Sequence, residues 1–102
     1  MPQVVFLPMK KIYIERDHEL TEEECQQLVV ELSDKLVERF GGRSQHLPNE
    51  THYHHKSGAK GRLGYDDSQL RVEVTIPFLM RPLAHKVEEE IHRQCDKHLS
   101  KS

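Results

Sequence analysis

Tryptophan is absent from this chain, tyrosine and phenylalanine number three each, and cysteine occurs only twice in 102 residues. No apolar stretch approaches the ~20 residues of a membrane span. Residues 1–9 lack the basic residues and long apolar run of a secretory signal. A cytoplasmic location is therefore expected. A chain of this length buries enough surface for a core without disulfides or a structural metal. Cys25 and Cys95 fall on apolar helical stripes and read as buried free thiols rather than a redox pair. Catalytic signatures are missing as well. There is no GxSxG, no phosphate-cradling glycine loop, no dinucleotide fingerprint, no HExxH and no CxxC. Ser33 and Cys25 have no base identifiable from the sequence. The expectation is a protein that is not an enzyme and uses no cofactor.

Apolar residues make up 35% of the chain, low for a globular domain, yet they sit in clean periodic stripes. That pattern describes a small core under a highly charged surface. The net charge is only −2, but it is unevenly spread. Residues 21–40 hold six acids against two bases, whereas residues 51–65 hold Lys56, Lys60, Arg62 and three histidines with no acid. One acidic and one basic, pH-sensitive region follow.

The elements read as follows. Residues 1–8 match no obvious element and are either a poorly ordered extension or lie ahead of a true start at Met9. Residues 9–102 form one domain. Ile12 and Ile14 mark a short first strand. Thr21 and Glu24 make a capping box ahead of a stripe from Cys25 to Phe40, and Gly41-Gly42 stops that helix. Residues 43–50 read as a loop. Strands are expected at Thr51–Lys56, Arg62–Asp66 and from Leu70, where Leu70, Val72, Val74 and Ile76 alternate with polar residues. A helix begins near Pro82 and carries Leu83, Val87, Ile91, Cys95 and Leu99 at four-residue spacing. The order β-α-β-β-β-α predicts an α+β two-layer sandwich. Its four-stranded mixed sheet has a parallel first strand, with both helices on one face.

The other face is then open, with Tyr13, Arg62, Arg71, Glu73, Thr75, His52, His54 and Lys56 upon it. Tyr13, Arg62 and Arg71 are candidate partner contacts there. His52 and His54 lie two apart on a strand, point to one face, and are the candidate metal pair. Zinc needs a third protein ligand, and none stands at motif spacing. His18 reads as a local hydrogen-bonding group, and Glu88-Glu89-Glu90 as a solvated helix face with a Glu89–Arg93 pair. Phe78, Leu79 and Met80, bracketed by Pro77 and Pro82, form either a cap on the core or an apolar lip for contact. The small positive excess of the basic hairpin makes nucleic acid an unexpected partner.

Several features occur in a fixed order: Arg16-x-His18-x-Leu20, Phe40-Gly41, Gly58-x-x-Gly61, the alternating Leu70 strand, and Phe78-Leu79-x-x-Pro82-Leu83 with Val87 and Ile91. In that order and spacing, from Met9 to Leu99, the chain resembles the small polyhydroxyalkanoic acid system proteins, also described as granule-associated proteins. The resemblance implies a link to synthesis or use of the polyhydroxyalkanoate storage polyester, in some members at the granule surface. It carries no catalytic residues. A non-enzymatic accessory protein is expected. The lip or open face would touch a polyhydroxyalkanoate-system protein, the granule surface, or a second copy in a homo-oligomer. By element order alone the chain is also similar to ribosome hibernation-promoting factors. A ribosome-associated RNA-binding protein is therefore the alternative.

Overall fold

Thr21 opens a helix by the chemistry its position predicts. In the computed structural model, which describes residues 9–48 and 50–99, Thr21 Oγ1 accepts from the Glu24 amide at 3.2 Å. The Glu24 carboxylate accepts in return from the Thr21 N–H at 2.9 Å. These reciprocal bonds satisfy two otherwise orphaned donors. The helix, α1, spans Glu22–Phe40 and buries Cys25, Leu28, Val29, Leu32, Ser33 and Leu36. Gly41 and Gly42 end it at φ 83° and 95°, a region that side chains other than glycine rarely adopt. The expected extension, residues 1–8, lies outside the described residues.

Five strands form the sheet: β1 (Met9–Asp17), β2 (Arg43–His46), β3 (Glu50–His54), β4 (Lys60–Tyr65) and β5 (Gln69–Pro77). Their spatial order is β1-β5-β4-β3-β2, with every pairing antiparallel. A single 3-10 turn, Phe78–Met80, leads from β5 into α2, Arg81–Leu99. Leu70, Val72, Val74 and Ile76 are all buried, as the alternation requires. They pack with Ile12, Ile14 and Leu63 against Leu28, Leu32 and Leu36 of α1 and Ile91 and Cys95 of α2 in one cluster. Both helices thus cover one sheet face, and the α+β class is as expected. Burial stabilises by about 1.5–3 kcal/mol for each large side chain in this layer.

Two details of the expected sheet are corrected. Residues 43–46 are not loop but strand β2, which raises the count from four to five. The strand escaped notice because Arg-Ser-Gln-His has no apolar residue; it pairs with β3 through its backbone at the sheet edge. The sheet is also not mixed, since β1 lies antiparallel to β5. The helical crossover does join two strands running the same way, β1 and β2. They stand at opposite edges, so no ladder is parallel. The β-α-β-β-β-β-α order also removes the element order on which the likeness to hibernation-promoting factors rested. Lys56 falls in the turn after β3 rather than on the open face.

Candidate binding surfaces

A 3-10 turn has three residues per turn, so consecutive side chains diverge by about 120° and cannot all meet the core. The corner after β5 obeys this. Met80 packs against the core cluster, while Phe78 is 43% exposed and Leu79 87% exposed. The Arg81 guanidinium sits 4.9 Å from the Phe78 ring centroid, a cation–π contact that holds the ring at the surface. Beneath the corner, Leu36, Phe40, Ile76, Met80 and Leu83 line a crevice of only about 40 Å³. That is barely more than one water's share of liquid volume. The corner is therefore no lid over a pocket. The turn divides the corner: Met80 caps the core and Leu79 faces outward.

On the open face the register lines residues up in rows. One row is Tyr13, Glu73, Arg62, His52 and Gln45; the next is Lys11, Thr75, Lys60, His54 and Arg43. Acids and bases pair across strands. Arg62 reaches Glu50 at 3.2 Å, and Arg71 reaches Glu15 at 3.5 Å and Asp66 at 2.6 Å. Tyr13 donates to Glu15 at 3.0 Å, which raises the phenol's pKa. Hydrogen bonds to His52 and Arg62 hold Glu50 below the ordinary glutamate value. The second row has fewer acids: Lys60 and Arg43 have no ion-pair partner among the described residues. Across the molecule, Glu22, Glu23, Glu24, Glu31, Asp34 and Glu38 occupy the exposed side of α1.

The histidines separate into distinct roles. His52 and His54 do share a face, with ring centroids 6.5 Å apart. His52 is taken by the Glu50 carboxylate at 2.9 Å, and no group of three metal-ligating side chains forms among the described residues. His55, at the end of the same run, leaves the sheet. Its Nε2 lies 3.0 Å from the Phe40 carbonyl, and its Nδ1 accepts from the Ser57 amide at 3.0 Å. The Tyr53 hydroxyl donates to the Gly41 carbonyl. These two side chains satisfy carbonyls at the end of α1, a role invisible in their local sequence.

His18 is the base that sequence reasoning missed beside Cys25, with Nε2 3.5 Å from Sγ. The pair does not make a nucleophile. Nδ1 accepts from the Leu20 amide at 3.0 Å and Nε2 lies 2.8 Å from the Asp66 carbonyl, so both ring nitrogens are engaged. Burial, then the nearby Glu24, Glu22 and Asp66, raises the thiol pKa. His18 instead ties the end of β1 to the start of α1 and to the β4–β5 turn, as a local hydrogen-bonding group. Cys95 is likewise pushed up to about 11 by burial.

The reading of the acidic triplet on α2 is corrected at two positions. Glu90 is not solvated but 2% exposed, and Glu89 pairs with His85 rather than Arg93. Glu90 lies on the helix face turned toward α1, where Arg39 meets it at 2.6 Å and Arg93 at 2.9 Å. Farther along, His98 of α2 bonds Glu31 of α1 beside a groove of about 750 Å³. Val30, Leu47, Pro48, Thr51 and Tyr65 line its apolar walls. Several of its polar groups are already engaged: His98 by Glu31, His46 by Thr51, and Glu50 by His52 and Arg62.

This arrangement, with pairs that bind one another and an apolar corner that faces outward, can be set beside known proteins. Residues 12–99 match the model of a family described as "Putative polyhydroxyalkanoic acid system protein". The chain belongs to that family. The match takes in every strand and both helices except the first residues of β1. The matched residues take in the Phe78–Met80 corner, most of the open sheet face and the Arg39–Glu90 contact that clamps the helices together. No curated protein matches the chain significantly. No described helix is long and apolar enough to cross a membrane.

Proposed function

We propose that this member of the polyhydroxyalkanoic acid system family is a non-enzymatic accessory protein that works by binding. It acts in the cytoplasm, at the polyester granule or on the proteins that coat it. Leu79 carries the reading. A leucine 87% exposed on a proline-bracketed turn gains nothing for the fold and leaves apolar surface ready for contact. Phe78 extends that surface, and Arg62 and Arg71 on the open sheet face are further polar contacts. Both helices are committed to the core, so the protein does not coat polymer by unfolding a long amphipathic helix.

The test is binding to isolated polyhydroxyalkanoate granules, compared with an unrelated soluble protein of equal charge. Binding above that control is expected for the intact chain. Leu79→Ser is expected to lower it several-fold while leaving the melting temperature within about 3 °C, because an exposed side chain contributes little to stability. Met80→Ser, by contrast, is expected to lower the melting temperature. Binding no greater than the control, or binding indifferent to Leu79→Ser, rejects the proposal.

A further inference from the structure

We propose that the outer edge of β1 pairs with β1 of a second copy of this chain, antiparallel about Tyr13, to give one continuous ten-stranded sheet. The two edges of the sheet are built differently. The β2 edge is four residues long, and Pro48 follows it closely. Short length and proline are the ordinary guards against edge-to-edge association. Pro8 stands just ahead of β1 in the sequence, but within its own length the strand has neither guard. It is nine residues long, without proline or glycine. It pairs with β5 without a break from Met9–Pro77 to Asp17–Gln69, so no bulge twists the edge away. Its other side has no strand neighbour among the described residues.

Charge is the one guard left, and its pattern selects a partner. The bases Lys10 and Lys11 stand at the start of β1, and the acids Glu15 and Asp17 at its end. A parallel in-register neighbour sets Lys11 against Lys11 and Glu15 against Glu15, which is repulsive. An antiparallel copy centred on Tyr13 sets Lys11 opposite Glu15 of the second copy, twice by symmetry. It also sets Ile12 opposite Ile14 and Tyr13 opposite Tyr13. Slipping by one residue would turn the open face of one copy against the helix face of the other. The like-charged match, Lys10 with Arg16, also occurs twice but falls on the helix side. There Arg16 is already bound to Asp96 at 2.8 Å. Tyr13, 56% exposed on a lone subunit, is covered by its symmetry mate. The two-fold arrangement closes on itself and does not propagate into a fibre.

Sedimentation velocity of the full chain across a concentration series tests the pairing. A monomer–dimer equilibrium is expected. Lys11→Glu and Glu15→Lys are each expected to weaken the dimer by roughly tenfold or more, since each creates two repulsive pairs. The double variant K11E/E15K restores dimerisation, as does mixing the two single variants. Their intrachain partners, Glu73 at 3.9 Å and Arg71 at 3.5 Å, are exposed pairs of little weight, so the fold survives the exchange. Tyr13→Cys gives a disulfide-linked dimer on mild oxidation, because directly opposed strand residues lie within disulfide reach. A monomer at every concentration overturns the proposal. So does a dimer that ignores the charge exchange and leaves Cys at position 13 unlinked, because its interface then lies elsewhere.

Discussion

Replacing Glu90 by alanine removes a buried polar contact that joins the two helices. Its carboxylate accepts from Arg39 at 2.6 Å and Arg93 at 2.9 Å through one oxygen, and from Gln94 at 2.8 Å through the other. Hydrogen bonds to a charged group contribute about 1.5–3 kcal/mol each. Against that stands the cost of holding a carboxylate out of water, which Glu90→Ala relieves. The Arg39 and Arg93 side chains are 42% and 60% exposed, so they rehydrate once the acid is gone. The expected net loss is about 2–3 kcal/mol. It is measured by urea unfolding at pH 7, and for a domain of this size corresponds to roughly 8–20 °C in melting temperature. Glu90→Gln keeps the shape, loses the charge, and should fall between. The carboxyl's pKa gives a second readout. Burial pushes it up, but hydrogen bonds from Gln94 and Arg39 and the charges of Arg93 and Arg39 outweigh burial and hold it below the ordinary glutamate value. A depressed folded pKa means its stabilisation is complete above the unfolded value and is lost as pH falls through the folded one. Glu90→Gln should flatten that acid stretch of the stability curve. A loss under about 1 kcal/mol for Glu90→Ala, with an unchanged acid limb, refutes the clamp.

Two further outcomes follow from local geometry. Asp66 accepts from the amides of Ser68 and Gln69 and from Arg71, and its carboxyl is held down at about 2. A carboxyl-resolved NMR titration should find it ionised well below the normal aspartate range. Its contribution to stability should be intact above that range and disappear as pH falls toward 2, and titration at the ordinary value contradicts the turn described here. Gly42→Ala, at φ +95°, places a Cβ 2.5 Å from the His54 carbonyl and 2.9 Å from the Tyr53 hydroxyl, and should cost at least ~2–3 kcal/mol. Gly58→Ala, at φ +101° but 3.6 Å from its nearest neighbour, should cost only about 1–2 kcal/mol, and equal losses in the two variants would contradict the crowding at Gly42.

The helices and the core strands were legible because each obeys a period: Leu70 to Ile76 at two, Leu83 to Leu99 at about four, and Thr21 with Glu24 at a start. What escaped has no period. β2 is held by backbone pairing and carries no apolar residue. The antiparallel setting of β1 depends on which edge the chain returns to, which no local pattern records. Glu90 looked like its two acidic neighbours because only the position of α1 distinguishes it. His55 continues the run of His52 and His54, yet one residue beyond the strand it turns back to α1. The lip was visible as three apolar residues, but the division between Met80 inside and Leu79 outside follows from the 3-10 turn. Tyr13, Arg62 and Arg71 do share the open face, as alternation implied.

The separation of charge between the two layers gives the molecule a heading. Six carboxylates line the outward side of α1, while on the open sheet face Lys11, Arg43, Lys60, Arg62 and Arg71 offset Glu15, Asp17, Glu50 and Glu73, which leaves the helix side the negative pole. Tumbling near a negatively charged body, the protein is turned sheet-first; near a positively charged one, it is turned helix-first. That torque operates within about a Debye length, some 8–10 Å at ordinary ionic strength, and fades in strong salt.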